Sequence, residues 1–420
     1  MTERLLQYIW QFQCFNAKDL LTEEGESLQV IHPGTLNTNQ GPDFTDAKIK
    51  IEHTTWAGSI ELHINSSDWK NHKHSGDKNY KNVILHVVWK QDAHVKLPFS
   101  TLVLQDRVPK VLLQKYDELM NTGSFIPCEK NIHGVNELTW QSWKERLLVE
   151  RLEVKTQHIF EYLRKNNNHW EETLWWLLAK NFGIKLNSAV FEKMARSISI
   201  NILAKHKEQI HQTEALLFGQ AGLLDGEFEE DYPKLLQREY QFLKNKYKLQ
   251  KVEGSLIFLR MRPSNFPTIR LAQLAMLVYK SLHLFSKIKE SLALKEVKEL
   301  LQITANDYWH YHYVFDEPTA FKKKKLGEQM IGNILINTVI PILFAYGHYH
   351  NEDIFKDKAI KWLEQVKAEK NAITRGFISL QVVNKTAFDS QSLIQLKNEY
   401  CNKKRCLDCR VGNKLIRSMV

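Results

Sequence analysis

The apolar spacing of this chain changes character once, and that change limits its possible folds more than any other feature. Over roughly the first 110 residues the hydrophobic side chains recur with a period of two between turn-rich breaks, as strands require; from about residue 136 the period is 3.6, as amphipathic helices require. A strand buries alternate side chains and a helix buries a stripe, so no segment satisfies both patterns. The expected fold class is therefore α+β, a mixed-sheet N-terminal domain followed by a large, mostly α-helical domain. Its expected divisions are residues 1–130, residues 131–400 and a cysteine-rich tail at 401–420.

In the first domain the spacing predicts a helix over 4–15 and strands over 27–32, 47–53, 58–65, 82–90 and 100–105. Residues 82–90 (NVILHVVWK) are almost continuously branched and apolar, which suits a central strand buried on both faces. Residues 58–65 alternate instead: Ile60, Leu62 and Ile64 share one face, and Ser59, Glu61, His63 and Asn65 the other. Downstream, helices are expected near 137–165, 170–181, 188–208, 212–222, 231–247, 267–286, 293–302, 327–346, 351–367 and 390–400. Small residues inside EALLFGQAGLL (214–224) point to close helix packing, and the aromatic run 308–313 to a core or interface segment.

A composition of 43% apolar and 25% charged residues excludes disordered and low-complexity classes. Glu3 and Arg4 interrupt what would be the apolar part of a signal peptide. The longest apolar stretch, 331–346, contains Asn333, Asn337 and Pro341 and falls short of the ~20 residues that cross a bilayer. The expectation is a buried core helix in a cytoplasmic protein with no membrane partner. The net charge of +10 is unevenly spread: residues 1–100 sum to −2 and hold seven of the 17 histidines, and the remainder sums to +12. A basic helical domain suits nucleic acid as partner.

Residues 41–89 carry most of the chemistry. Asp43 follows a Gly-Pro turn, and Glu61 and His63 share a strand face, about 6 to 7 Å apart along it. An Asp and a Glu at neighbouring strand positions offer hard oxygen ligands to Mg²⁺, which needs only one or two carboxylates. His72-x-His74 is a plausible second metal pair, and His86, mid-strand between apolar neighbours, requires a buried partner. Each acid read singly also fits a structural role, Asp43 capping a turn and Glu61 with His63 on a solvated strand face.

The order helix, strand, strand with Asp at its mouth, strand with Glu-x-His, crossover and buried strand resembles the PD-(D/E)XK nuclease superfamily over about 90 residues. The matching residues are Pro42 and Asp43, Glu61, and His63 where that superfamily carries lysine. The resemblance implies that Asp43 and Glu61 bind Mg²⁺ and that the third position orients or deprotonates the attacking water. Lys48 and Lys50 on the adjacent strand could compensate for the missing lysine. The expected function is a metal-dependent nuclease acting on DNA or RNA. The alternatives are a non-catalytic nucleic-acid-binding or scaffold protein, and a histidine-metal hydrolase acting on a small substrate.

Three arginines, Arg260, Arg262 and Arg270, surround a proline-punctuated turn and could hold phosphates there; the plainer role is to pin a helix start. At the other end of the chain Cys401, Cys406 and Cys409 lie in YCNKKRCLDCRVG, and the closer pair has a chelating spacing. Cys128 is the best fourth ligand, with Asp408, a histidine or Cys14 behind it. Zn²⁺ and an iron-sulfur cluster are both chemically open; some PD-(D/E)XK nucleases staple their nuclease domain with a cluster held by distant cysteines, and this arrangement looks similar. Taken together, GPDF, IELH, SDWKNHKHSGD, YKNVILHVVW, IPCE, EALLFGQAGLL, RPSNFPTIR and the cysteine tail resemble, over nearly the whole chain, a family of uncharacterised bacterial proteins, a likeness that implies no activity.

Overall fold

The first helix shows how local sequence sets the frame. In α1 (Glu3–Gln11) the Thr2 hydroxyl caps the start by accepting from the Leu5 N–H at 3.2 Å, and Leu5, Leu6, Ile9 and Trp10 form the buried stripe. The helix stops short of the expected residue 15. Gln13 adopts a left-handed φ of 51°, and the Cys14 N–H returns to the Ile9 carbonyl at 2.9 Å.

The computed structural model describes residues 1–72, 77–250, 252–281 and 283–417. It divides into two units, one formed by Met1–Trp143, Ser379–Gln381 and Gln395–Val420, the other by Lys144–Ile378 and Val382–Ile394. The chain is α+β, as its two periodicities require.

In the first unit a seven-stranded mixed sheet has the order β1 (Leu20–Leu21), β2 (Ser27–His32), β4 (Phe44–Ile51), β5 (Thr54–Asn65), β6 (Val83–Lys90) and β7 (Ser100–Val103), with β3 (Thr35–Leu36) paired to β4. The two-residue strands β1 and β3 are too short to display a period, which is why spacing did not reveal them. The β4–β5 pair is an antiparallel hairpin, whereas β5, β6 and β7 run parallel. Between β5 and β6 the chain passes through α2 (Asp68–Asn71). From Gly58 to His63, β5 is buried on both faces, so the alternation of Ile60 and Leu62 with Glu61 and His63 does not mark a solvated side. Both α1 and α2 pack against this strand.

The second unit is helical around one apolar core that includes Phe182, Phe191, Phe218 and Trp309. Two of its helices, Ile210–Gln220 and Asp231–Tyr247, approach closely at Gly219, where a Cβ would lie 2.2 Å from the Tyr240 ring. That contact explains the small residue in EALLFGQAGLL. Trp309, from the aromatic run, is fully buried and stacks on Phe218 at 5.0 Å. The apolar segment is longer than its spacing predicts: Glu328–His350 is a continuous helical run of 23 residues, sufficient by length and composition to cross a membrane, with 78% of its most apolar window buried within the protein. Pro341 does not break it, because a π-helical turn at Leu335–Val339 precedes the proline and absorbs the mismatch with the preceding carbonyls.

Candidate active site

Asp43 and Glu61 meet because of a local irregularity. Pairing between β4 and β5 slips between Phe44 and Ala47, where Asp46 takes a φ of 58°, so that Phe44 stands opposite Ile60. Asp43, at the mouth of β4, then lies beside Glu61 and Leu62. Its backbone N–H donates to Glu61 Oε2 at 3.0 Å, and the Leu62 N–H donates back to Asp43 Oδ2 at 3.0 Å. From α1 the Gln7 side-chain amide donates to Asp43 Oδ1 at 2.8 Å.

Burial dominates the electrostatics of this pair. It pushes the Asp43 carboxyl up to about 6, with Glu3 adding to the rise, against hydrogen bonds from Leu62 and Gln7 that pull it down. Glu61, only 5% exposed, is pushed up to about 8 by burial and then by the Asp43 charge. Near neutral pH the two carboxyls together therefore retain about one proton. The Tyr80 hydroxyl belongs to the same field: burial, then Glu61 and Asp43, raise it to about 12.

A chain of imidazoles begins next to Glu61. His63 Nε2 lies 3.6 Å from Glu61 Oε1 and 3.1 Å from His72 Nδ1, while His63 Nδ1 lies 2.8 Å from His86 Nε2. The parallel register that sets Glu61 opposite His86 makes the last contact possible. His86 and His63 are buried, whereas His72, at the end of α2, is exposed. The chain thus leads from solvent into the sheet, with Trp69 edge-on to His63 and His86 at 6.3 and 5.4 Å between ring centroids.

The other expected site residues are placed as follows. His74 lies outside the described residues. Lys48 and Lys50 pair with Ala57 and Thr55, toward the far end of the hairpin; four residues of strand, about 13 Å, separate Ala57 from Glu61, so the structure does not bring these lysines to the carboxylates. In the second unit Arg260 and Arg262 are exposed, but Arg270 is buried, donating to Gln273 Oε1 at 2.9 Å and Asn265 Oδ1 at 2.5 Å. Arg270 thus ties the start of its helix to the turn before it. Cys128, Cys401, Cys406 and Cys409 all fall in the first unit. Among the described residues no three His, Cys, Asp or Glu side chains stand as a ready-formed metal shell. Gln7, Glu3 and Tyr80 had no signal in the sequence, since nothing in local spacing links α1 or the segment before β6 to Asp43.

Residues 3–372 match a family described as protein of unknown function (DUF2851). No curated protein matches the chain. No solved structure matches it.

Proposed function

The chain belongs to the DUF2851 family, a membership that brings no activity with it, and from its own residues we propose that the N-terminal unit is a Mg²⁺-dependent nuclease. The observation that carries this reading is the buried Asp43–Glu61 pair, two carboxyls clamped side by side by reciprocal backbone hydrogen bonds. Burying like charges together is unfavourable, and a divalent cation offsets that cost. The donor set fits Mg²⁺, which takes one or two carboxylates and completes its shell with water and substrate phosphate. When bound, Mg²⁺ supplies an activated water and stabilises charge on a phosphodiester.

The protein's own groups do the rest. Gln7 and the Leu62 N–H fix the Asp43 carboxylate, and the Asp43 N–H fixes Glu61, so neither acid spends free energy on orientation when a ligand arrives. Loss of the shared proton frees both acids to act as anions. His63 stands where the PD-(D/E)XK resemblance carries lysine, and with His72 and His86 it offers a route for a proton between Glu61 and solvent. The strand arrangement supports the same resemblance, with the acids on an antiparallel hairpin and the next strand parallel to its second arm. The exposed Arg260 and Arg262 are candidate phosphate contacts.

The test is cleavage of single- and double-stranded DNA and RNA by the full chain with Mg²⁺ or Mn²⁺. Activity that falls at least 100-fold in Asp43→Asn and in Glu61→Gln is the expected result. Binding without cleavage, unchanged in both variants, would instead make the chain a nucleic-acid-binding protein.

A further inference from the structure

The tail folds so as to gather its cysteines. Cys401 ends a π-helical turn (Leu396–Cys401), and a reverse turn follows in which the Lys404 N–H donates to the Cys401 carbonyl at 3.1 Å. A second turn joins Cys406 to Cys409, whose N–H donates to the Cys406 carbonyl at 3.3 Å, so their sulfurs start from backbone positions less than about 7 Å apart. Gly412 holds that turn against the helix Arg410–Arg417, since a Cβ there would stand 2.3 Å from the Cys406 carbonyl oxygen.

Cys128 comes from far away in sequence. It opens the short 3₁₀ helix Glu129–Gly134, which packs against the helix Arg410–Arg417. Lys397 fastens the two strands of chain together by donating to the Phe125 carbonyl at 2.5 Å, and Lys404 does the same to the Met120 carbonyl. All four sulfurs lie within electrostatic range of one another. Cys401 is acted on by Cys409, Cys128 and Cys406, and Cys128 by Cys409 and Cys406.

We propose that Cys128, Cys401, Cys406 and Cys409 bind one structural Zn²⁺ as a closed four-thiolate site that locks the C-terminal tail onto the N-terminal unit. Among the described residues no group of three or more such side chains stands ready-formed around a metal, so binding requires the four side chains to close on the ion. Binding forms four Zn–S bonds and releases four thiol protons to solvent, leaving the site with two net negative charges. Cations are already in place for that charge: Lys397 acts on Cys401, and Lys404 on Cys406. The fifth cysteine, Cys14, is not among the groups acting on these four. A closed shell leaves no position for substrate, so the role is structural.

The experiment is elemental analysis of the full chain purified without chelator, together with cobalt replacement. Expected are one zinc per chain, less than one tenth of that in Cys401→Ser and Cys409→Ser, full loading in Cys14→Ser, and visible d–d absorption of tetrahedral cobalt thiolate in the reconstituted wild type. The wild-type cobalt spectrum decides the matter even if the serine variants fail to fold. Absence of metal, equal zinc in all variants, or iron with acid-labile sulfide would overturn the proposal. Asp43→Asn and Glu61→Gln should load zinc normally, which separates this site from the nuclease reading.

Discussion

Replacing Glu61 by Gln keeps the shape of the side chain and removes its charge, which turns the buried acid pair into a measurable pH dependence. Folding raises the Glu61 carboxyl from 4.5 to about 8, first through burial and then through the Asp43 charge. Between those values the folded protein holds a proton that the unfolded chain has released. Stability is therefore fully present below pH 4.5 and is lost as pH rises through about 8. At 1.36 kcal/mol per unit the displacement corresponds to on the order of 5 kcal/mol. Asp43, raised from 3.8 to about 6, adds a loss of the same sign at lower pH. Thermal and urea unfolding of the full chain in chelator, from pH 5 to 9, should show wild type falling steeply while Glu61→Gln falls much less, so that the variant is the more stable protein at pH 9. Adding Mg²⁺ at pH 8 should restore wild type and leave the variant nearly unchanged. Parallel pH profiles in the two proteins would refute the buried-pair argument, and an equal Mg²⁺ effect in both would refute the cation's place at Glu61.

Two further perturbations test the packing of the helical unit. Gly219→Ala sets a methyl group 2.2 Å from the Tyr240 ring and should destabilise by about 1–3 kcal/mol, read from the urea midpoint. Lys144→Ala removes the cation that donates to Asp389 Oδ1 at 2.6 Å and to the Val383 carbonyl at 2.7 Å; stranding a carboxylate only 13% exposed should cost about 3–5 kcal/mol, and Lys144→Ala with Asp389→Ala should cost less than the sum of the single variants in a double-mutant cycle.

Much of the fold was legible because its causes are local. The run NVILHVVW reports a strand covered on both faces, and β6 is buried from Val83 to Val88. Likewise Gly219 reports a close approach before its partner, Tyr240, is known. Periodicity misled at element ends, as where the helix expected over 188–208 is two, Ile184–Ser197 and Ile200–His206, and where a local pattern had two tertiary outcomes. The alternation Ile60, Glu61, Leu62, His63 fits a half-solvated strand as well as one buried on both sides, and only the helices packed on β5 decide between them. Pro341 marks a helix break unless a π turn absorbs it, and that turn has no signature in spacing.

By itself the sequence determined the residue types available for chemistry and the elements that carry them: acids and histidines on strands, arginines at a helix start, thiols in a tight C-terminal turn. Which of these meet was a tertiary decision. A slipped register sets Asp43 beside Glu61 and leaves Lys48 and Lys50 down the hairpin; parallel pairing brings His86 to His63; the return of the chain from Gln395 onward carries three cysteines into the unit that holds Cys128. The physical reason is one of range. Steric and hydrogen-bonding preferences of the backbone act over a few residues and can be read in order along the chain, whereas burial depends on surfaces contributed by distant segments, tens of residues apart around the two carboxyls and hundreds apart around the thiols.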